Sequence, residues 1–264
     1  GASFPRVAEK AQFNGNSSQA DCTLRVHANT YKLLVGQTYT GTINLNGKNL
    51  FSEKGMNISG GTVEVPSGSK IKTGSPANGG QTAVIGLAGT VNAKDGRLDI
   101  GNALSIKGTL NAPDGARFIV RGNWTNSGTF KHNSGTVDFI PTNNNKTIHP
   151  GGIGSNSAFY NIRKGGSRRT KLISEISVND FEISQNGGKW LAQEKNMFVS
   201  GNWTVRGNSY YIHGNNTVTF NGSASQKINV QPNRGDFYNL TVSNTTDAVS
   251  LESNAIQIDN KLTI

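Results

Sequence analysis

The acidic residues come closest to a catalytic pattern. Glycan-cleaving sites on stacked β-strands need two or more carboxylates on neighbouring turns, often with Arg, Lys or Ca²⁺. Asp95 and Asp114 stand nineteen residues apart in two copies of one motif. On adjacent turns they would lie roughly 5 Å apart. Each precedes a glycine, though, and Asp-Gly makes turns without any chemistry. Asp99 with Asp138 and Glu175 with Asp180 are further pairs, neither in a recognisable motif. His27, His132, His149 and His213 are far apart, and none has metal-ligand spacing to another His, Cys or carboxylate. His132 and His213 do fall near equivalent repeat positions. No P-loop, dinucleotide glycine fingerprint or Gly-x-Ser-x-Gly elbow is present. The sequence therefore assigns no catalytic residue, no metal and no cofactor, and reads as non-enzymatic.

Binding chemistry has two candidates. Arg163-Lys164-Gly165-Gly166-Ser167-Arg168-Arg169-Thr170-Lys171 is the dense basic stretch. Arg163, Lys164, Arg168, Arg169 and Lys171 could grip phosphate, sulfate or uronate through charge-assisted hydrogen bonds. The corresponding position of a second repeat, Thr241–Asp247, is not basic, so the architecture does not require that charge. Trp190 has no repeat counterpart and follows Gly187-Gly188-Lys189, which makes it the candidate for an exposed glycan contact. Trp124 and Trp203 occupy equivalent positions and read as packing residues. No aromatic platform is interleaved with the basic residues, which disfavours nucleic acid.

The elements that carry these residues follow from repetition. Gly108-Thr109-Leu110-Asn111-Ala112-Pro113-Asp114-Gly115 copies Gly89-Thr90-Val91-Asn92-Ala93-Lys94-Asp95-Gly96. The opening Gly-Thr-apolar recurs at Gly41, Gly61 and Gly128, giving spacings of 20, 28, 19 and 20. Short β-prone runs with Gly and Asn turns at a period near 20 predict an all-β, right-handed parallel β-solenoid. About a dozen turns at the interstrand spacing would make a rod of roughly 60 Å. Pairs two residues apart, such as Leu98/Ile100 and Phe118/Val120, would point into one core. Residues 1–21 read as an N-terminal cap or extension, with Pro5–Phe13 helical or irregular. Residues 22–121 read as irregular turns near 20 residues, with a loop extruded over 73–80.

A longer repeat covers 122–264. Gly122-Asn123-Trp124-Thr125 recurs at Gly201, Thr136-Val137-Asp138-Phe139 at Thr217, Phe159-Tyr160-Asn161-Ile162 at Phe237, and Ile176-Ser177-Val178 at Ile256. The offsets run from 78 to 81 residues, so two units of about 79 continue the same solenoid. These motifs resemble the β-strand repeats of very large secreted bacterial surface proteins, usually expected to be parallel β-helices. The resemblance implies an adhesin-like or structural protein at the cell surface, and it offers no catalytic motif.

Composition fits that picture. The chain has 264 residues, 33 of them Gly, with only 16% charged and a net charge of +10. Such a balance permits binding to nucleic acid, anionic glycan or a negative cell envelope. Cys22 is the single cysteine, expected as a buried small hydrophobe and unable to form an internal disulfide. No signal peptide or membrane span is legible. The last run, Ile256 to Ile264, reads as an uncapped strand. Ile256, Ile258, Leu262 and Ile264 would then be self-assembly edge residues. Either the chain is cut from a longer array, or this edge meets another copy head to tail. The expected function is an extracellular structural or adhesive module, a subunit of a surface fibre. The alternatives are an anionic polysaccharide-binding module and a β-helix polysaccharide lyase or hydrolase. The expected partners are a second copy of the chain or a cell-surface polysaccharide.

Overall fold

A computed structural model of the chain describes residues 9–15, 19–74, 81–86, 88–184, 186–253 and 255–264. Among the described residues every element is a β-strand and every pairing given is parallel. The strands wind into stacked coils about 21 residues apart, about 12 turns of a β-solenoid. The chain forms two compact units, 1–136 and 137–264.

In the first unit each turn contributes one strand to each of three faces. The first face is built from Lys10–Phe13, Lys32–Val35, Met56–Ile58, Ala83–Ile85, Leu104–Ile106 and Trp124–Asn126. The second is Cys22–Thr23, Thr42–Asn44, Thr62–Glu64, Thr90–Asn92, Thr109–Asn111 and Thr129–Lys131. The third includes Ala28–Thr30, Asn49–Ser52, Lys70–Thr73, Arg97–Ile100 and Phe118–Val120. Lys10–Phe13 lies in the stretch expected as an irregular cap, yet it is a strand in register with Lys32–Val35. The loop expected over 73–80 lies, from 75 onward, outside the described residues.

The Gly-Thr-apolar motif now has a physical meaning at each position. The apolar residue points inward: Ile43, Val63, Val91, Leu110 and Phe130 are all buried. Each such side chain contributes roughly 1.5–3 kcal/mol by leaving water. The threonine points outward, and Thr42, Thr62, Thr90, Thr109 and Thr129 are successive register partners in one column. The glycine sits where the next turn passes over the last. Gly61 has φ +59°, and a Cβ there would stand 2.6 Å from the Gly41 carbonyl oxygen. At Gly108 a Cβ would overlap the carbonyl oxygens of Gly86 and Gly89.

The second unit keeps the parallel winding, and among the described residues none of its strands belongs to the second face. Lys146–His149, Arg169–Leu172, Lys189–Leu191 and Tyr210–Ile212 form one ladder. A second ladder runs Phe159–Lys164, Ile176–Ile183, Met197–Val199, Thr217–Phe220, Phe237–Val242 and Ile258–Thr263. The long strand Ile176–Ile183 divides its partners. Its first half pairs with Met197–Val199, and its second half with Trp203–Val205. Trp203–Val205 continues into Gln226–Val230 and Val249–Leu251. Phe181, Trp190, Trp203, Tyr211 and Phe237 fill the interior as one aromatic cluster. Ring centroids there are 4.4 Å apart for Phe181–Trp203 and 4.7 Å for Trp203–Tyr211.

Candidate functional site

The basic stretch 163–171 spans the end of strand Phe159–Lys164, a turn, and the start of strand Arg169–Leu172. Strand alternation splits its charges. Arg163 points out but is already engaged: its Nε and Nη2 donate to the two oxygens of Asp138, both at 2.7 Å. Lys164 points in and is fully buried. Its ammonium donates to the carbonyls of Gly165 at 2.6 Å and Gly166 at 3.2 Å. Burial pushes its pKa down to about 8. Neither Arg163 nor Lys164 therefore offers a free cation to a ligand, which corrects their place among the polyanion candidates. Arg168 and Arg169 are exposed, and Lys171 is half-buried. A cleft of about 510 Å³ beside this stretch is lined by Arg163, Gly165, Gly166, Glu182, Ser184 and Arg206, among others. Arg206 is paired with Glu182 at 3.2 Å, so much of that lining charge is internally neutralised.

Trp190 is not an exposed glycan contact. It is 0% exposed, its ring centroid 5.0 Å from that of Phe181 in edge-on contact. Its register partners are Thr170 and Tyr211, both buried, while Lys189 faces outward beside it. The strand is one residue out of phase with the sequence expectation, and a one-residue slip exchanges the two faces. Trp124 and Trp203 are also 0% exposed, in line with packing roles. Cys22 is half-buried rather than fully enclosed, and burial raises its thiol pKa.

The carboxylate pairs dissolve into turns and ion pairs. Asp95 and Asp114 are exposed residues in turn or bend positions. Asp99 is paired with Arg121, and Asp138 with Arg163. Glu175 accepts from the Asn196 side chain at 3.0 Å, and Asp180 from the Asn202 amide at 2.6 Å. Among the described residues no three His, Cys, Asp or Glu side chains gather into a metal-holding group.

Two of the four histidines serve turns. The Nδ1 of His132 accepts the Ser134 amide at 3.0 Å, and that of His213 accepts the Asn215 amide at 3.1 Å. Asn126 does the same for Gly128 at 3.1 Å, so the two histidines replace an Asn in one kind of turn. The other ring nitrogen of His213 faces Asp259 at 2.9 Å. Asp259 is held below the usual carboxylate range, first by the Gln257 amide and then by His213.

Sequence reading missed a second basic surface on the third face of the first unit. Lys70 and Arg97 are register partners, with Asn49 before them in the same column. The register Leu98 to Phe118 brings Arg117 next in line. The next residue along each strand, Ile71, Leu98 or Phe118, is buried, so the column faces outward. The charges lie about twenty residues or more apart in sequence and form no local run. The only available signal was alternation placed in register across turns. No family model matches the chain, and comparisons with curated proteins and with solved structures found no match.

The edge candidates lie on the last strand. Ile258–Thr263 pairs with Phe237–Val242 and with no other strand among the described residues. Leu262 is 49% exposed and Ile264 91%, whereas Ile256 and Ile258 are half-buried. No helix among the described residues is long and apolar enough to cross a membrane.

Proposed function

We propose that this chain is a non-catalytic structural and adhesive module of a bacterial cell surface that adds to its own kind rung on rung. The observation that carries this reading is the outer edge of Ile258–Thr263. It is a parallel strand with one unpaired edge among the described residues, and the exposed side chains of Leu262 and Ile264 lie beside it. Such an edge accepts a strand running in the same direction. Ala28–Thr30 offers a matching one, since among the described residues it pairs only with Asn49–Ser52. Contact between those two edges in different copies is heterologous, and heterologous contacts that do not close build filaments.

The test is light scattering with electron microscopy over a concentration series, on the chain and on Leu262→Lys with Ile264→Lys. An edge lysine blocks strand addition without touching the interior. The expected result is filaments that lengthen with concentration and vanish in the double variant. Single particles at every concentration would remove self-addition from the proposal.

A further inference from the structure

We propose that the third face of the first unit binds an anionic polysaccharide along the column Lys70, Arg97 and Arg117, with Lys72 beside it. This site is separate from the edge strand, so it stands or falls independently of self-addition.

The placement is fixed by register. Successive strands of a ladder lie about 4.8 Å apart, so the column sets cationic side chains at that interval. Like charges directly opposite one another across a ladder are destabilising. Among the described residues neither Lys70 nor Arg97 has an ion pair or a side-chain hydrogen bond. Lys72 stands over the Phe51 ring, 5.7 Å from its centroid. Lys70 and Arg97 therefore stand side by side, with no ion pair of their own among the described residues, and an anion bound across them would relieve their repulsion. The space exists: a cleft of about 620 Å³ is lined by Asn49, Ser67, Ser69, Lys70, Asp95 and Arg97, among others.

The same lining favours a polyhydroxyl chain over nucleic acid. Asp95 and Asn49 sit among the cations and can accept hydrogen bonds from sugar hydroxyls. The backbone of duplex DNA carries no free hydroxyl to donate to them. The Phe51 ring on this surface lies under the Lys72 ammonium instead of being open for base stacking. The ligand class is thus a carboxylated or sulfated polysaccharide whose acid groups recur along the chain.

The test uses the whole protein on immobilised polygalacturonate, heparin and duplex DNA, with salt elution. The variants are Lys70→Gln with Arg97→Gln, and Arg168→Ser with Arg169→Ser. Both substituted positions of the first pair face outward, and an unchanged melting temperature confirms folding. The expected result is retention on polygalacturonate or heparin that weakens about tenfold in the Lys70/Arg97 variant and shows a shallower salt dependence. Polygalacturonate held more tightly than heparin identifies carboxylate as the anion, and the reverse identifies sulfate. The Arg168/Arg169 variant should keep wild-type retention. The proposal is overturned if the Lys70/Arg97 variant is retained as well as the wild type, if only the Arg168/Arg169 variant loses retention, or if DNA is held more tightly than both polysaccharides.

Discussion

Arg163 holds Asp138 with two parallel hydrogen bonds, each 2.7 Å, and the carboxylate it holds is 2% exposed. The guanidinium reaches from one strand to a carboxylate twenty-five residues earlier. Arg163→Ala would remove both of these charge-assisted hydrogen bonds from a buried carboxylate. The expected loss is about 2–3 kcal/mol, less than for a wholly buried pair because the Arg163 side chain is 49% exposed. Asp138→Asn in the same chain should recover part of it. Urea denaturation of the three proteins gives the comparison.

Lys164 should make the protein more stable in mild alkali. Its amine keeps a proton to about pH 8 in the folded chain, against 10.5 in its ordinary state. Below pH 8 both states are charged, and the folded one carries the full cost of burial. Between 8 and 10.5 the unfolded chain binds more protons, so stability rises with pH. The total rise is roughly 3 kcal/mol. Denaturation midpoints from pH 7 to 10.5 should climb in the wild type, and Lys164→Met should lose that climb.

His132 works in the opposite pH range. Burial lowers its pKa from 6.5, so the folded state favours the neutral ring that accepts the Ser134 amide. That stability is present above 6.5 and is lost as pH falls through the lowered folded value. His132→Asn keeps an acceptor for the same turn and carries no titrating ring. Melting temperatures from pH 7 to 5 should fall less in the variant than in the wild type.

Fold and site were legible to different depths. The turns were readable because the glycine, threonine and apolar positions of Gly61-Thr62-Val63 each answer to one constraint, and the motif repeats. Trp190 was misplaced because Lys189-Trp190-Leu191-Ala192 fits either phase of alternation, and only its neighbours Thr170 and Tyr211 fix which face is inward. The run 163–171 looked like one basic patch because sequence proximity hides alternation, which turns Lys164 into the interior. Lys70 and Arg97 were invisible for the reverse reason. They are neighbours only through the register of strands twenty-seven residues apart.

Trp190 supplies a test of that interior. Among the described residues its indole N–H has no hydrogen-bond partner. Trp190→Ala should cost about 3–5 kcal/mol by leaving a cavity. Trp190→Phe should cost much less, because it keeps the ring contact with Phe181 and removes an unsatisfied donor. Chemical denaturation separates the two.

Gly108→Ala should destabilise by about 2 kcal/mol or more, since its methyl group meets the backbone of Gly86 and Gly89 and no side chain can turn aside. Gly154→Ala is the control: nothing lies within 4 Å of a Cβ there, and the change should stay within about 0.5 kcal/mol. Thermal unfolding of both variants reads the difference.

Thr62 and Thr90 are 28 residues apart where their neighbours in the column are 19 or 20 apart, yet they remain direct register partners. The register of the column therefore does not depend on the number of residues between its strands. A corner can acquire new sequence by insertion while the columns on either side keep their order, so this architecture can diversify what it displays without redesigning what displays it. Foreign peptides could be grafted at that corner on the same terms, with the threonine column as the fixed ruler against which each graft is placed.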